Sequence, residues 1–304
     1  MSVEQPPKRR SASAAASLLA LTTAATLALA ACDRGRGAEP EPSTSPPSAA
    51  TGTLSHLLPA DLRGATVALA MPPAVYRQEH LARTTGDQPD GVLVALVLAA
   101  VDLLGLHAEF TEFLPGQEME EARLGDLPAV FLMAQVVTAF PTDRADVVPF
   151  ATDRQRLLLR EGVTVADADD LCGLTIVAPT TVNQEFSRAE TACLLAGTPI
   201  KLVYPTEEAT LAHVSVAEGR ADAMLVGELY GAHLRQQSPE LSVGGPVWQT
   251  ITWGFTVGKD TGLAEPLAAA LGELVASGRY EEIMTRYGMP SLPPESITVN
   301  PTPG

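Results

Sequence analysis

The chain has 304 residues, 46% of them apolar and 18% charged, enough for one large domain or two modest ones with real cores. Thirty-six acids against 20 bases give a formal charge of −16, which argues against a binder of phosphate backbones, and an aromatic share of 5% argues against a base-stacking platform. Three cysteines without CxxC spacing are too few for a disulfide scaffold.

The chain opens with Lys8-Arg9-Arg10, followed by an uncharged stretch from Ser11 to Ala31 rich in Ala and Leu. A basic start, an apolar middle and small residues at the end are the marks of a secretory leader, with a membrane-spanning anchor as the alternative. The ending Leu29-Ala30-Ala31-Cys32 resembles a bacterial lipobox, which makes 1–31 a lipoprotein signal peptide and Cys32 the lipidated new N-terminus. The stretch 32–53, rich in Pro, Ser, Thr and Ala, has little to bury and reads as a disordered tether, and 291–304 reads as a flexible tail.

Between them, strand and helix patterns alternate. Ala65–Ala70 is a short apolar strand, Gly91–Leu104 a core helix closed by Gly105, His107–Phe113 a half-buried strand, Glu118–Leu124 a charged helix, and Pro128–Val137 a strand covered on both faces. Further on, Leu174–Ala178 is a strand, Asn183–Leu195 a helix, Ile200–Tyr204 a strand and Glu207–Glu218 a helix. Ala223–Val226 is a strand feeding a helix over Glu228–Gln237, and a strand at Thr252–Val257 precedes helices at Leu263–Ser277 and Tyr280–Tyr287. This rhythm predicts an α/β fold with crossover helices on both sheet faces and ligands at the carboxyl ends of the strands.

Five pieces in order carry a family resemblance: Leu62–Val67 with Met71-Pro72-Pro73, Pro141–Phe150, Asp170–Val177, Glu218–Ala223 with its Gly-Arg-Ala-Asp-Ala, and Ser277–Ile283. Together they resemble bacterial extracellular solute-binding proteins of family 3, the polar amino-acid ABC-transporter type, in a lipid-anchored form. The resemblance implies a two-lobed periplasmic-binding-protein-like fold of type II, with mixed sheets flanked by helices and two hinge crossings. Lobe 1 would be 54–156 plus 248–290 and lobe 2 157–247, with the crossings at Leu157–Arg160 and Val243–Trp248. Ligand occupancy would favour the closed state.

The same resemblance supplies the ligand-binding candidates. Arg144 would clamp a ligand carboxylate, as guanidinium offers two parallel donors; the alternative is a surface arginine paired with Asp143 or Asp146. Thr180 and Thr181, before the helix near Asn183, would complete that site or simply cap the helix. Tyr76 and Phe140 would pack on the ligand or belong to the core, and Thr138 is the one small polar residue left before the arginine motif. The family's amine-binding acid falls on Gly227, leaving the adjacent Glu228 as a candidate. The solute is then not an ordinary α-amino acid, or its amine is met differently, or the site has decayed. Cys172 and Cys193 would form a disulfide outside the cytosol, a pairing also common in lipid-anchored relatives, or remain two buried thiols.

The expected partners are a small carboxylate-bearing solute, membrane lipid through Cys32, and an ABC permease or a membrane sensor. The chain is expected to be monomeric and extracytoplasmic, with no nucleic acid, cofactor or metal. Catalysis is the weaker alternative, although relatives of this fold include dehydratases: GxSxG, HExxH, Walker and GxGxxG patterns are missing, and the five histidines lack metal-ligand spacing.

Overall fold

The structure, a computed structural model, describes residues 52–73, 81–85, 88–114, 123–124, 126–139, 141–178, 183–204 and 212–301. Expectations for Cys32, Tyr76, Phe140, Thr180 and Thr181 lie outside these residues. The strands are β1 (Thr66–Met71), β2 (Arg83–Thr85), β3 (Gln88–Asp90), β4 (His107–Glu112), β5 (Arg123–Leu124), β6 (Leu127–Val136), β7 (Ala145–Leu159), β8 (Thr175–Val177), β9 (Lys201–Val203), β10 (Ala223–Gly227) and β11 (Ser242–Gly258). The helices are α1 (Val92–Leu104), α2 (Gln184–Leu195), α3 (Ala212–Ala217), α4 (Glu228–Gln237), α5 (Ala264–Ala276) and α6 (Arg279–Arg286). Of the charged helix expected at Glu118–Leu124, the described end is instead β5, an antiparallel partner of β6.

One mixed sheet runs in the order β4-β1-β6-β11-β7-β10-β8-β9. Two strands make it continuous. β7 and β11 pair antiparallel from Ala145↔Gly258 to Leu159↔Ser242, so each serves both halves of the sheet. The expected crossings and the final strand are thus parts of these two long strands. Their register breaks twice: Phe150 of β7 is passed over between Trp253↔Ala151 and Gly254↔Pro149, and Gly245–Trp248 of β11 face the single residue Arg156 of β7. Gly245 takes a positive φ of 83° and Pro246 has no N–H to offer a neighbour, so this stretch leaves the ladder.

Each half has its own core. In the first half, α1, α5 and α6 cover one face, where Val67, Leu69, Leu96, Phe255, Leu267 and Ile283 are buried, while Phe113 and Phe131 meet edge to face on the other at 4.9 Å. In the second half, Leu157, Ile176, Phe186 and Trp248 fill one face and Leu158, Val216, Val226 and Leu234 the other, as the period-2 alternation of a twice-covered strand requires. Helix α4 belongs to both, with Leu229 in the first core and Leu234 in the second.

Cys172 and Cys193 form a disulfide that ties the turn before β8 to the buried face of α2. Closing a loop of this length contributes about 3 kcal/mol by chain entropy. The segment after 290, expected to be a flexible tail, is docked: Leu292, Ile297 and Val299 pack on the first core, and Asn300 bonds β7. Its apolar residues, spaced among the prolines, give it something to bury. Among the described residues no helix is long and apolar enough to cross a membrane.

Candidate ligand site at the strand crossing

Midway along β7, where the two halves meet, the apolar pattern gives way to Thr152-Asp153-Arg154-Gln155-Arg156. Successive side chains of a strand point to opposite faces, so Asp153 and Gln155 share one face while Arg154 and Arg156 share the other. The arginines converge on Glu228, the first residue of α4. Arg154 donates Nε to Oε2 at 2.9 Å and Arg156 donates Nε to Oε1 at 2.5 Å. Arg156 also donates to the carbonyl of Gly245 in the 245–248 register break.

On the opposite face, Gln155 Oε1 accepts from Asn183 Nδ2 at 2.5 Å. Asn183 is the N-cap of α2, its Oδ1 accepting from the Phe186 N–H at 2.9 Å. The N-terminus of α2, with its partial positive charge, is therefore held against β7. Two residues away on the same face lies Asp153, buried with 6% of its surface exposed. Its Oδ1 accepts the Leu229 N–H of α4 at 3.2 Å and its Oδ2 the Trp253 indole N–H at 3.4 Å. Burial pushes its carboxyl above the usual aspartate range, outweighing these donors.

The structure separates the sequence candidates. Glu228 is at the crossing but both its carboxylate oxygens are engaged by arginines. Thr138 is exposed in the turn that follows β6. Trp253 pairs with Val136 on β6 and with Ala151 on β7, so the chain leaves β6 at the height of Ala151, two residues before Asp153. Arg144 lies elsewhere. It is exposed and precedes Ala145, which pairs with Gly258 at the far end of β7. Eight residues of strand at ~3.3 Å each put Ala145 about 26 Å from Asp153. Arg144, expected to clamp a carboxylate, is thus not one of the arginines at the crossing, which are Arg154 and Arg156.

Asp153, Gln155 and Asn183 escaped the sequence reading. The available signal was the polar run 152–156 interrupting an otherwise apolar strand. Asp222 and Arg220, both in the Gly-Arg-Ala-Asp-Ala stretch, differ. Asp222 joins β10 to β8 by accepting from the Thr175 N–H at 2.9 Å and pairs with Arg160 at 2.7 Å, whereas Arg220 pairs with the exposed Glu218. A cavity of about 350 Å³ opens where α4, α6 and β2 meet, lined by Arg83, His233, Gln236 and Tyr287 among others, and none of the crossing residues lines it. Among the described residues no cluster of His, Cys, Asp or Glu could hold a metal ion.

Known proteins match this architecture. The unliganded, open L-cystine solute receptor of Neisseria gonorrhoeae superposes with a TM-score of 0.61 at 18% identity, covering 77% of this chain and 97% of its own. A polar amino-acid ABC uptake transporter substrate-binding protein from Streptococcus thermophilus gives 0.60 at 16% identity, covering 76% of this chain and 88% of that one. The fold is that of the two-lobed solute-binding proteins. In sequence, the arginine-binding protein ArgT of Corynebacterium glutamicum is 28% identical over 143 residues, 46% of this chain and 44% of that protein. The match thus spans less than half of that curated relative. No family model matches the chain. The resemblance to polar amino-acid solute-binding proteins holds in both the sequence and the structure comparisons.

Proposed function

We propose that this protein is a lipid-anchored solute-binding protein that captures a small, polar, carboxylate-bearing solute, an amino acid or an analogue, for an ABC importer. Lobe 1 is 54–156 with 248–290, and lobe 2 is 157–247. The solute enters the crevice between them and is held by closure, since it binds the closed state better and shifts the population towards it. Catalysis has no part in this reading.

The observation that carries the reading is the seating of the α2 N-terminus against Gln155 through Asn183, at the point where β7 and β11 pass from one half of the sheet to the other. A helix N-terminus at a hinge offers a carboxylate amide donors and a favourable dipole, and Thr180 and Thr181, just before α2, would add hydroxyl donors. Thr138, Tyr76 and Phe140 would border the solute from lobe 1. Relatives named for arginine and for cystine support amino acids as the first class to try. The leader and Cys32 place the protein outside the membrane, anchored by lipid.

A thermal-shift screen of the purified protein against the amino acids, cystine and small carboxylates, followed by calorimetry, tests the reading. A saturable rise in melting temperature with at least one carboxylate-bearing solute, and a smaller radius of gyration on its binding, is the expected result. A protein stabilised by none of them is not a binder of this class. Replacement of Cys32 by Ser should release the protein from the cell surface, and retention would point to a spanning anchor.

A further inference from the structure

We infer that Asp153 is the group that receives a positive charge on the solute, so that the crossing selects molecules carrying an ammonium or guanidinium beside their carboxylate. The inference rests on the binding reading above and adds the second half of its chemistry. Among the described residues, every ion pair at the crossing goes to Glu228, and none reaches Asp153. A buried carboxylate stabilised only by N–H dipoles and an indole is under-compensated, because burial costs an ion far more than a few dipoles return. The contact from Trp253 to Oδ2 is long at 3.4 Å, and the other donors to this carboxylate are the backbone N–H groups of Leu229, Arg154 and Glu228, so among the described residues dipoles alone meet it and no full positive charge does.

The space around Asp153 is arranged for it. A β-carbon added at Gly227 would fall 2.1 Å from Asp153 Oδ2, so the carboxylate occupies the volume that a side chain at 227 would need. Gly227 ends β10 opposite Gln155 and leads into α4. The acid that the family resemblance places at the end of that strand is missing here, and a carboxylate from the hinge strand stands in its room. On the same face of β7, two residues away, Gln155 holds the N-terminus of α2. A negative group and a positive helix end about 7 Å apart along the strand suit the two ends of a zwitterion.

Capping of α4 through the Leu229 N–H is the other role open to Asp153, and charge separates the two. Asp153→Asn keeps an acceptor for that N–H and removes the charge. Calorimetry on wild type and Asp153→Asn would use the twenty amino acids, cystine, and three acids without an amine: succinate, glutarate and glutaramate. Wild type should bind at least one amino acid and discriminate against the amine-free acids, and Asp153→Asn should lose on the order of 100-fold in affinity. Equal affinity in the two proteins overturns the role of Asp153 while the binding reading stands. Should Asp153→Asn fail to fold, wild type alone decides: comparable binding of glutamine and glutaramate, or binding of amine-free acids alone, overturns the inference, and discrimination against them supports it. A wild type that binds nothing in either set overturns both.

Discussion

Glu228 and Arg156 are joined at 2.5 Å across the junction of α4 with β7, and Arg154 takes the other oxygen of the same carboxylate at 2.7 Å. One acid thus fastens the first turn of a helix that belongs to both cores onto the strand that passes between them. Its side chain is only 12% exposed, whereas that of Arg154 is 43% exposed, so the Arg156 arm carries most of the stabilisation.

Glu228→Gln should therefore destabilise the protein by about 2 kcal/mol, the scale of hydrogen bonds to a charged group, lowering the melting temperature by roughly 4–8 °C. Arg154→Ala should cost less than Arg156→Ala. Thermal melts of the three variants check the order, and equal losses for the two arginines would refute it.

Asp222 makes a prediction with a pH sign. The Thr175 N–H, and after it the Arg160 guanidinium, hold its carboxyl below the ordinary aspartate value of 3.8. A depressed carboxyl contributes stability above its unfolded pKa, and that contribution is lost as pH falls through the folded value. Asp222→Asn should thus cost about 1 kcal/mol at pH 7, and its deficit against wild type should shrink once the pH drops below 3.8. Urea titrations at neutral and acid pH measure this, and a deficit that stays constant would show that charge plays no part.

The Asp222 contact also shows what could be read from the residues alone. The Gly-Arg-Ala-Asp-Ala stretch was legible as one of the pieces that carry the family resemblance, and its Asp222 joins β8, β10 and Arg160, because a local motif carries its neighbours with it. The helices α1, α2 and α4 to α6 were legible for a similar reason, their apolar periodicity being local. The length of β11 was not, since Gly244, Gly245 and Pro246 look like a break, and only the pairing of both flanks with β7 makes one strand of them. Asp153 and Gly227 lie 74 positions apart in sequence, and their shared volume exists only once β10 lies beside β7. Long-range complementarity of this sort leaves no trace in spacing.

Arg144 illustrates the converse. The motif around it was legible, but the conformation that it begins is β7, which carries the chain away from it towards the crossing. Arg144→Ala should leave the affinity for any bound solute within about twofold of wild type, as surface substitutions remote from a site do. Calorimetry on the variant checks this, and a tenfold loss would bring Arg144 back to the ligand.

The last described residues make the final case. Along 145–153, β7 pairs with β11 on one side, and its other edge would present free N–H and C=O groups if it were left uncovered. Asn300 covers it in the manner of a strand partner. Its Oδ1 accepts the Val147 N–H at 2.8 Å, its own N–H donates to the Val147 carbonyl at 2.9 Å, and its Nδ2 donates to Asp146 at 2.8 Å. Further along, Thr152 donates its N–H to the Leu292 carbonyl at 2.8 Å. Asn300 sits at a φ of 50°, a conformation that asparagine tolerates better than most residues. Asn300→Ala should cost about 1–2 kcal/mol through the lost side-chain bonds and the left-handed backbone, and Asn300→Asp more, because a second carboxylate would face Asp146. Asn300→Gly relieves the backbone without restoring the bonds, so it should fall between wild type and Asn300→Ala. Truncation after Pro290 removes the apolar contacts of Leu292, Ile297 and Val299 as well, and should lower the melting temperature furthest and raise light scattering on heating as the bare edge recruits other chains. A truncated protein that melts and scatters like wild type would mean that the edge of β7 needs no cover.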